Sequence, residues 1–192
     1  MDKVYNKIIL ITAPSGAGKT SIVKYLMKKF PELAFSVSAT TRKARRNEKD
    51  GEDYYFISEA EFKEKIHHKE FLEWEMVYEG KYYGTLKSEI ERIWELKKIP
   101  VLDVDVQGAI HVQQQYPVNT ISVFIQVPSL EELKNRLKGR GSETEESLQA
   151  RVSKSSFEMT FKKHFENVII NNDFKTACLE TEKIVSAFLE NH

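Results

Sequence analysis

Cysteine, net charge and long apolar runs are all scarce in this chain of 192 residues. The single cysteine, Cys178, cannot form an intrachain disulfide, and no Cys or His motif has the spacing of a zinc site. Lys and Arg total 29, as do Asp and Glu, so no overall field attracts nucleic acid or an anionic membrane. No apolar run reaches the roughly 18 residues of a membrane helix, and the N-terminal segment is too interrupted for a signal peptide. We therefore expect a cytoplasmic protein that binds neither nucleic acid nor membranes.

The chain alternates short β-branched runs with longer amphipathic stretches, which is typical of a parallel sheet covered by helices on both faces. Its length suits one domain. Core strands are predicted at residues 7–12, 101–104, 121–127 and 167–170. Helices are predicted at residues 19–29, 87–97, 108–115, 129–138, 143–163 and 174–189. Capping-box patterns mark three helix starts, at Ser58, Ser129 and Ser142, and Cys178 is expected to be a buried thiol in the last helix.

A segment of small residues separates the first predicted strand from the first helix. It reads Ala13, Pro14, Ser15, Gly16, Ala17, Gly18, Lys19 and Thr20. Small residues let the backbone curl so that successive N–H groups point at phosphate oxygens, Lys19 adds a positive charge, and the Thr20 hydroxyl can hold Mg²⁺. The helix that follows directs the positive end of its dipole at the same anion. The segment therefore predicts a phosphate loop for a nucleotide, with Ala13 in backbone angles that a Cβ allows.

The alternation of strands and helices stops between residues 35 and 85. Short aromatic runs at residues 54–57, 71–74 and 81–84 surround one predicted helix at residues 59–68. This pattern predicts an antiparallel lobe inserted into the parallel domain. We call residues 35–85 the inserted lobe.

Four cations, Arg42, Lys43, Arg45 and Arg46, fall within five residues at the start of the inserted lobe. Arginine forks match phosphate oxygens in pairs, so Arg42 and Arg45 could clamp a second phosphate group away from the phosphate loop. A nucleic-acid patch and a solvated basic loop are the alternatives.

Three other lobe residues favour the phosphate clamp. Tyr54 and Tyr83 could donate phenolic hydrogen bonds, and Glu73 lies in an aromatic strand whose ends look buried. A buried carboxylate that accepts from ring N–H groups discriminates between bases, because the wrong base leaves a polar group unpaired.

A second basic cluster comprises Lys134, Arg136, Lys138 and Arg140, with Arg151 further along the chain. Arg136 and Arg140 share a helix face if the helix persists, and Gly139 and Gly141 suit a hinged flap. On a flap, these arginines could neutralise charge on a transferred phosphoryl group. Ordinary exposed helix charges are the alternative.

Asp103 and Asp105 close the predicted strand at residues 101–104. The carboxyl ends of parallel strands present side chains to the ligand crevice. One aspartate would orient Mg²⁺ through water or accept a hydrogen bond from an acceptor nucleotide, and spacing does not divide these roles.

Taken in order, these segments resemble the guanylate kinases over essentially the full chain. The matching segments are residues 13–20, 36–42, 51–56, 71–74, 82–85, 102–108 and 136–141. The resemblance implies an α/β fold with a P-loop NTPase-type parallel sheet flanked by helices, an inserted mixed α+β lobe and a small helical lid. It implies one domain with a core of residues 1–34, 86–135 and 152–192, a GMP-binding lobe of residues 35–85 and a lid of residues 136–151. The implied reaction is phosphorylation of GMP or dGMP by ATP with Mg²⁺.

The resemblance also implies roles for single residues. ATP would lie on the phosphate loop, its phosphates held by Arg136, Arg140 and Arg151 and its adenine near Asn171. The GMP phosphate would be held by Arg42, Arg45, Tyr54 and Tyr83. Guanine would be recognised by Ser38, Glu73, Thr85 and Asp105, with Glu48 and Asp103 assigned to the same nucleotide. Catalysis would use Lys19, Arg42, Arg136, Arg140 and Arg151, and the metal ligand would be Thr20.

The sequence departs from the family pattern at Ala13, Ala39, Arg46, Asn47 and Thr85, although Thr85 keeps the hydroxyl that would contact guanine. Two other functions stay open. One is a guanylate-kinase-like interaction module that binds peptides, which the intact phosphate loop and basic clusters disfavour. The other is a phosphate-loop kinase with a different acceptor, such as a sugar phosphate, which the polar lobe residues disfavour.

Overall fold

The computed structural model describes residues 6–138 and 145–190, which form alternating strands and helices. In chain order the elements are β1 (Ile8–Thr12), α1 (Lys19–Lys29), β2 (Leu33–Phe35), β3 (Ala39–Thr40), β4 (Tyr55–Phe56), α2 (Glu59–His67), β5 (Phe71–Tyr78), β6 (Lys81–Leu86), α3 (Lys87–Glu95), β7 (Ile99–Asp103), α4 (Val106–Gln115), β8 (Thr120–Gln126), α5 (Leu130–Lys138), α6 (Glu145–Met159), β9 (Asn167–Ile170) and α7 (Phe174–Glu190). A short 3₁₀ helix, Thr160–His164, follows α6.

Five strands form a parallel sheet in the order β2-β7-β1-β8-β9. The central strand β1 is buried along its whole length, as its apolar sequence requires of a strand covered on both faces. Ile9 and Ile11 pack in one apolar cluster with α1 and α7, and Ile8 and Leu10 pack in another with α3 and α4. Among the described helices, none has both the length and the apolar character to cross a bilayer.

The core strands predicted from the sequence are confirmed to within two residues at each end. The edge strand β2 was not predicted, because three residues are too short to show a pattern and the strand depends on pairing with β7. Ser58 and Ser129 cap their helices as expected, each Oγ accepting from a backbone N–H three residues on at 3.1 Å. Ser142 lies outside the described residues. Cys178 is buried in α7, as predicted.

The inserted lobe contains a second, four-stranded sheet in the order β4-β3-β6-β5. Strand β6 pairs antiparallel with both β3 and β5, but β3 and β4 are parallel. The prediction of a wholly antiparallel lobe is therefore wrong for this pair. The physical reason is the connection of residues 41–54, which is long enough to return the chain to the same end of the sheet, whereas a tight hairpin would reverse it.

The inserted lobe has an apolar core of its own. Ala39, Phe62 and Phe71 form a buried cluster separate from the two clusters of the parallel sheet. The rings of Phe62 and Phe71 stack with centroids 4.2 Å apart. The lobe thus carries packing energy of its own, and Leu72 of β5 also packs with Ile8 and Leu10 of the parallel sheet.

Replacing Phe62 by alanine should weaken the lobe selectively. Removing this fully buried ring should lower the local stability of the lobe by about 3–5 kcal/mol. Native-state hydrogen exchange should show faster exchange of β5 and β6 amides while β1 and β8 amides stay protected. The control is Phe174→Ala, which removes a phenylalanine that is 49% exposed. Equal loss of protection in both sheets would contradict a separate lobe core.

Candidate active site

A cleft of about 420 Å³ opens between the carboxyl ends of the parallel strands and the second sheet. The phosphate loop and the start of α1 contribute Ala13, Pro14, Ser15, Gly16, Gly18, Lys19 and Thr20. The inserted lobe contributes Ser38, Asp53, Tyr54, Glu73, Glu75 and Tyr83. The end of β7 contributes Asp103 and Asp105, and α6 contributes Arg151, Lys154 and Glu158. The structure therefore brings the phosphate loop, the inserted lobe and the strand-end aspartates together around one space.

The phosphate loop adopts the curled backbone that its small residues allow. Gly16 and Gly18 have φ angles of 91° and 97°, in the left-handed region that favours glycine. Outside glycine, the described residues have positive φ only at Lys69 and Lys97. Ala13 therefore has an ordinary backbone conformation, which is why its Cβ is tolerated at this position.

Two residues predicted to contact ATP lie behind the phosphate loop and outside the lining of the cleft. The buried Asn171 side chain donates from Nδ2 to the Ala17 carbonyl at 2.7 Å. Arg136 donates from Nη2 to the Asn171 carbonyl at 3.0 Å and from Nε to Glu132 at 2.7 Å. A Cβ on Gly18 would lie 2.5 Å from Asn171 Nδ2, so the contact of Asn171 with the phosphate loop also requires glycine at position 18. The contacts of Asn171 and Arg136 with ATP stay predictions.

The first residues of α1 meet the end of β7. Lys19 Nζ lies 2.5 Å from Asp103 Oδ1 and donates to the Val104 carbonyl at 3.0 Å. Burial lowers the pKa of Lys19, but the charge and hydrogen bond of Asp103 outweigh burial and raise it. Lys19 is therefore a fixed positive charge at the end of the phosphate loop.

Thr20 and Asp103 form a pair of oxygen donors that suits magnesium. Thr20 Oγ1 lies 3.5 Å from Asp103 Oδ2 at the carboxyl edge of the sheet. Magnesium prefers hard oxygen ligands and is usually held by one or two protein groups together with substrate phosphates and water. The described residues contain no group of three or more His, Cys, Asp or Glu placed to hold a metal.

The two strand-end aspartates face different parts of the cleft. Asp103 faces Lys19 and Thr20, whereas Asp105 caps α4 by accepting from the Gly108 N–H at 2.8 Å. The Asp105 charge raises the pKa of both Glu73 and Lys19, so it acts on both sides of the cleft. The roles of the two aspartates toward Mg²⁺ and the acceptor nucleotide stay predictions.

Glu73 is the buried acid of the inserted lobe, with 8% of its surface exposed. Thr85 donates to Glu73 Oε1 at 2.6 Å. Burial raises the pKa of Glu73 to about 7, aided by the Asp105 charge and opposed by the Thr85 hydrogen bond. A Cβ on Gly108 would lie 2.5 Å from Glu73 Oε2, so glycine at that position makes room for the carboxylate.

Arg42 is held in place beside the cleft by Glu48. Their two hydrogen bonds, from Nη1 and Nη2, measure 2.5 and 2.7 Å. The guanidinium carbon also lies 4.8 Å from the centroid of the Tyr54 ring. The Arg42 hydrogen bonds lower the pKa of Glu48 to about 2. Glu48 thus contacts Arg42, and its contact with GMP stays a prediction, while Arg45 leaves 77% of its side chain exposed.

Helix α6 places three side chains at the cleft, and the sequence analysis predicted only one of them, Arg151. Arg151 donates from Nη2 to Ser15 Oγ at 2.7 Å, and Lys154 and Glu158 line the cleft beside it. Burial raises the pKa of Glu158, whose Oε2 has no hydrogen-bond partner among the described residues. A spacing of three and then four residues from Arg151 would have indicated this helix face. Arg140 and its flanking glycines lie outside the described residues.

The fold and the cleft together define a P-loop NTPase-type α/β protein, in which the phosphate loop after β1 faces the inserted lobe. A guanylate kinase family model matches residues 5–188, and the chain belongs to the guanylate kinase family. This family consists of nucleoside monophosphate kinases that phosphorylate GMP to GDP with ATP.

Individual relatives match over most of their length. Guanylate kinase of Bacteroides thetaiotaomicron is 43% identical over 183 residues, covering 95% of this chain and 90% of that one. Guanylate kinase of Thermotoga maritima is 41% identical over 180 residues, covering 94% and 84%. The crystal structure of guanylate kinase from Anaplasma phagocytophilum superposes with a TM-score of 0.75 at 27% identity, covering 96% and 87%.

The raised pKa of Glu73 makes stability depend on pH. Between about pH 4.5 and 7 the unfolded carboxyl is ionised while the folded one still holds its proton, so stability falls as pH rises through that window. Glu73→Gln removes this loss. Relative to the parent chain, the variant should gain on the order of 2 kcal/mol in unfolding free energy between pH 5 and pH 8, measured by urea unfolding. Glu64→Gln, at an exposed site in the same lobe, is the control. A pH-independent difference between parent and Glu73→Gln would refute the shift.

Proposed function

We propose that this chain transfers the γ-phosphoryl group of ATP to GMP with the two nucleotides on opposite sides of the cleft described above. The observation that carries the proposal is the buried Glu73–Thr85 pair facing the phosphate loop across one space. A phosphate loop alone fits many nucleotide-binding proteins, whereas an acceptor-rich buried pocket opposite it selects a base.

On the donor side, the amide groups of the phosphate loop and the N-terminus of α1 would hold the β- and γ-phosphates. Lys19 would exchange its contact with the Val104 carbonyl for phosphate oxygens. Arg151 would turn from Ser15 to the same phosphates. Both cations already line the cleft, so they would reach the ATP phosphates by short side-chain movements.

On the acceptor side, the Glu73 carboxylate would accept from the N1–H and 2-amino groups of guanine. Thr85 orients that carboxylate, and Ser38 and Asp105 would complete the polar contacts. Adenine has no N1–H, so it would leave the buried carboxylate unpaired, which is the basis of discrimination. The fork of Arg42, with the Tyr54 and Tyr83 hydroxyls, would hold the GMP phosphate, and Glu48 would keep Arg42 oriented.

The reaction needs positioning more than proton transfer. The attacking oxygen belongs to an anionic phosphate, so no general base has to activate it. A bond forms between a GMP phosphate oxygen and the γ-phosphorus while the bond from the β,γ-bridging oxygen breaks, and ADP leaves. Lys19, Arg42 and Arg151 would offset the negative charge gathered between the nucleotides. The described lining of the cleft accordingly contains no His or Cys.

Magnesium, held by Thr20 and Asp103 with the ATP phosphates, would supply further positive charge at the donor side. A chain that uses the cytoplasmic pools of ATP and GMP is expected to work in the cytoplasm.

A substrate panel tests this function. Coupled ADP production with GMP, dGMP, AMP, UMP and CMP should give kcat/KM for the guanine nucleotides at least about 100-fold above the others. Lys19→Ala should be inactive with all five, whereas Lys24→Ala, exposed on the same helix, should keep parent activity. Equal rates would favour a phosphate-loop kinase of another specificity. A folded parent protein without turnover on GMP would favour a binding module.

Loss of the Glu73 charge should affect the acceptor selectively. Glu73→Gln should lower kcat/KM for GMP by about 10- to 100-fold, since hydrogen bonds to a charged group are lost, and leave KM for ATP within about 2-fold. Steady-state kinetics with each nucleotide varied in turn would measure both. The control Glu64→Gln should behave as the parent. An unchanged preference for GMP in Glu73→Gln would remove the base-recognition role.

A further inference from the structure

Another buried carboxylate lies outside the cleft, where the inserted lobe joins the parallel sheet. Glu89 stands in the first turn of α3 and exposes 3% of its surface. It does not line the cleft, and the proposed reaction assigns it no role. A carboxylate is rarely buried to this degree unless its oxygens are fully used.

Glu89 accepts four hydrogen bonds from three different segments. Oε1 accepts from the Val37 N–H at 3.1 Å and from Arg92 Nη2 at 2.8 Å. Oε2 accepts from the Tyr55 hydroxyl at 3.0 Å and from Arg92 Nε at 2.9 Å. Burial raises the pKa of Glu89, but these hydrogen bonds outweigh burial and lower it. The carboxylate is therefore charged and saturated.

These partners lie where the chain crosses between sheet and lobe. The outward crossing is residues 36–38, in which the Ser36 N–H donates to the Val101 carbonyl of β7 at 3.0 Å and the Ser38 carbonyl accepts from the Tyr55 N–H at 2.9 Å. Val37, between them, is fixed by Glu89. The return crossing passes directly from β6 into α3, which begins at Lys87, two residues before Glu89. One carboxylate thus ties both crossings to each other and to the lobe strand β4.

We infer that Glu89 is a positioning residue for the acceptor nucleotide: it fixes the outward crossing, and with it the position of Ser38 at the acceptor side of the cleft. Ser38, which follows Val37, lines the cleft. A buried ion pair adds little net stability over apolar packing, so the consequence of this network is a defined geometry. The inference rests on the proposed function.

The test compares kinetic constants for the two nucleotides. Glu89→Ala should raise KM for GMP by about 5- to 10-fold, the effect of one displaced hydrogen bond, while KM for ATP and kcat stay within about 2-fold. Glu89→Gln and Tyr55→Phe, which each remove part of the network, should give smaller increases in the same constant. Glu91→Gln, at an exposed site on the same helix, should leave all constants unchanged.

A double-mutant cycle separates positioning from general destabilisation. If Glu89 acts through Ser38, the increase in KM for GMP caused by Glu89→Ala should shrink in a Ser38→Ala background. Additive effects, or a lower Tm with an unchanged KM for GMP, would overturn the inference. Should Glu89→Ala fail to fold, the cycle is run with Glu89→Gln and read by the same criterion. An inactive parent protein would instead refute the proposed function, so the two failures are distinguishable.

Discussion

The cleft must hold charged, partly buried side chains before any substrate binds. An unpaired buried charge is strongly unfavourable, so each cation of the cleft has a substitute partner within the chain. Lys19 has Asp103 and the Val104 carbonyl, Arg42 has Glu48, and Arg151 has the Ser15 hydroxyl. Nucleotide phosphates can replace the Val104 carbonyl and the Ser15 hydroxyl, which are neutral, while Glu48 would stay paired with Arg42 and orient it. The cleft is thereby held in a form close to the one it needs.

Two buried glutamates illustrate how hydrogen bonding decides what a carboxylate does. Glu89 has four donors and a lowered pKa, so it has no capacity left for a ligand and serves to fix the backbone. Glu73 has the Thr85 hydroxyl as its side-chain donor and a pKa raised to about 7. Glu73 lines the cleft, where guanine donors would complete its hydrogen bonding. A recognition carboxylate is thus destabilising until its ligand binds, which agrees with the trade of stability for function at such sites.

The sequence predicts what depends on local order and misses what depends on distant pairing. The phosphate loop and α1 were predictable because strand, loop and helix are contiguous and small residues are needed at set positions. Strand β2 was not, because three residues acquire their conformation from β7. Tertiary contacts likewise decide the carboxylate partner of Arg42, the burial of Asn171 behind the loop and the different partners of Asp103 and Asp105. The Glu89 network was invisible for the same reason, since its donors come from residues 37, 55 and 92.

The inserted lobe is attached to the parallel sheet both by packing, through Leu72 of β5, and by polar contacts. Its apolar cluster is its own, and the network around Glu89 joins it to the core at the two crossings. Dispersion contacts fade over fractions of an ångström and fix one packed arrangement, whereas hydrogen bonds to a half-exposed Arg92 can be exchanged with water at small net cost. The Val37 N–H and the Tyr55 hydroxyl, by contrast, donate to a carboxylate that is only 3% exposed, so these two bonds fix the angle between lobe and sheet. A kinase that must hold two nucleotides in line needs such a defined attachment between its two substrate sites.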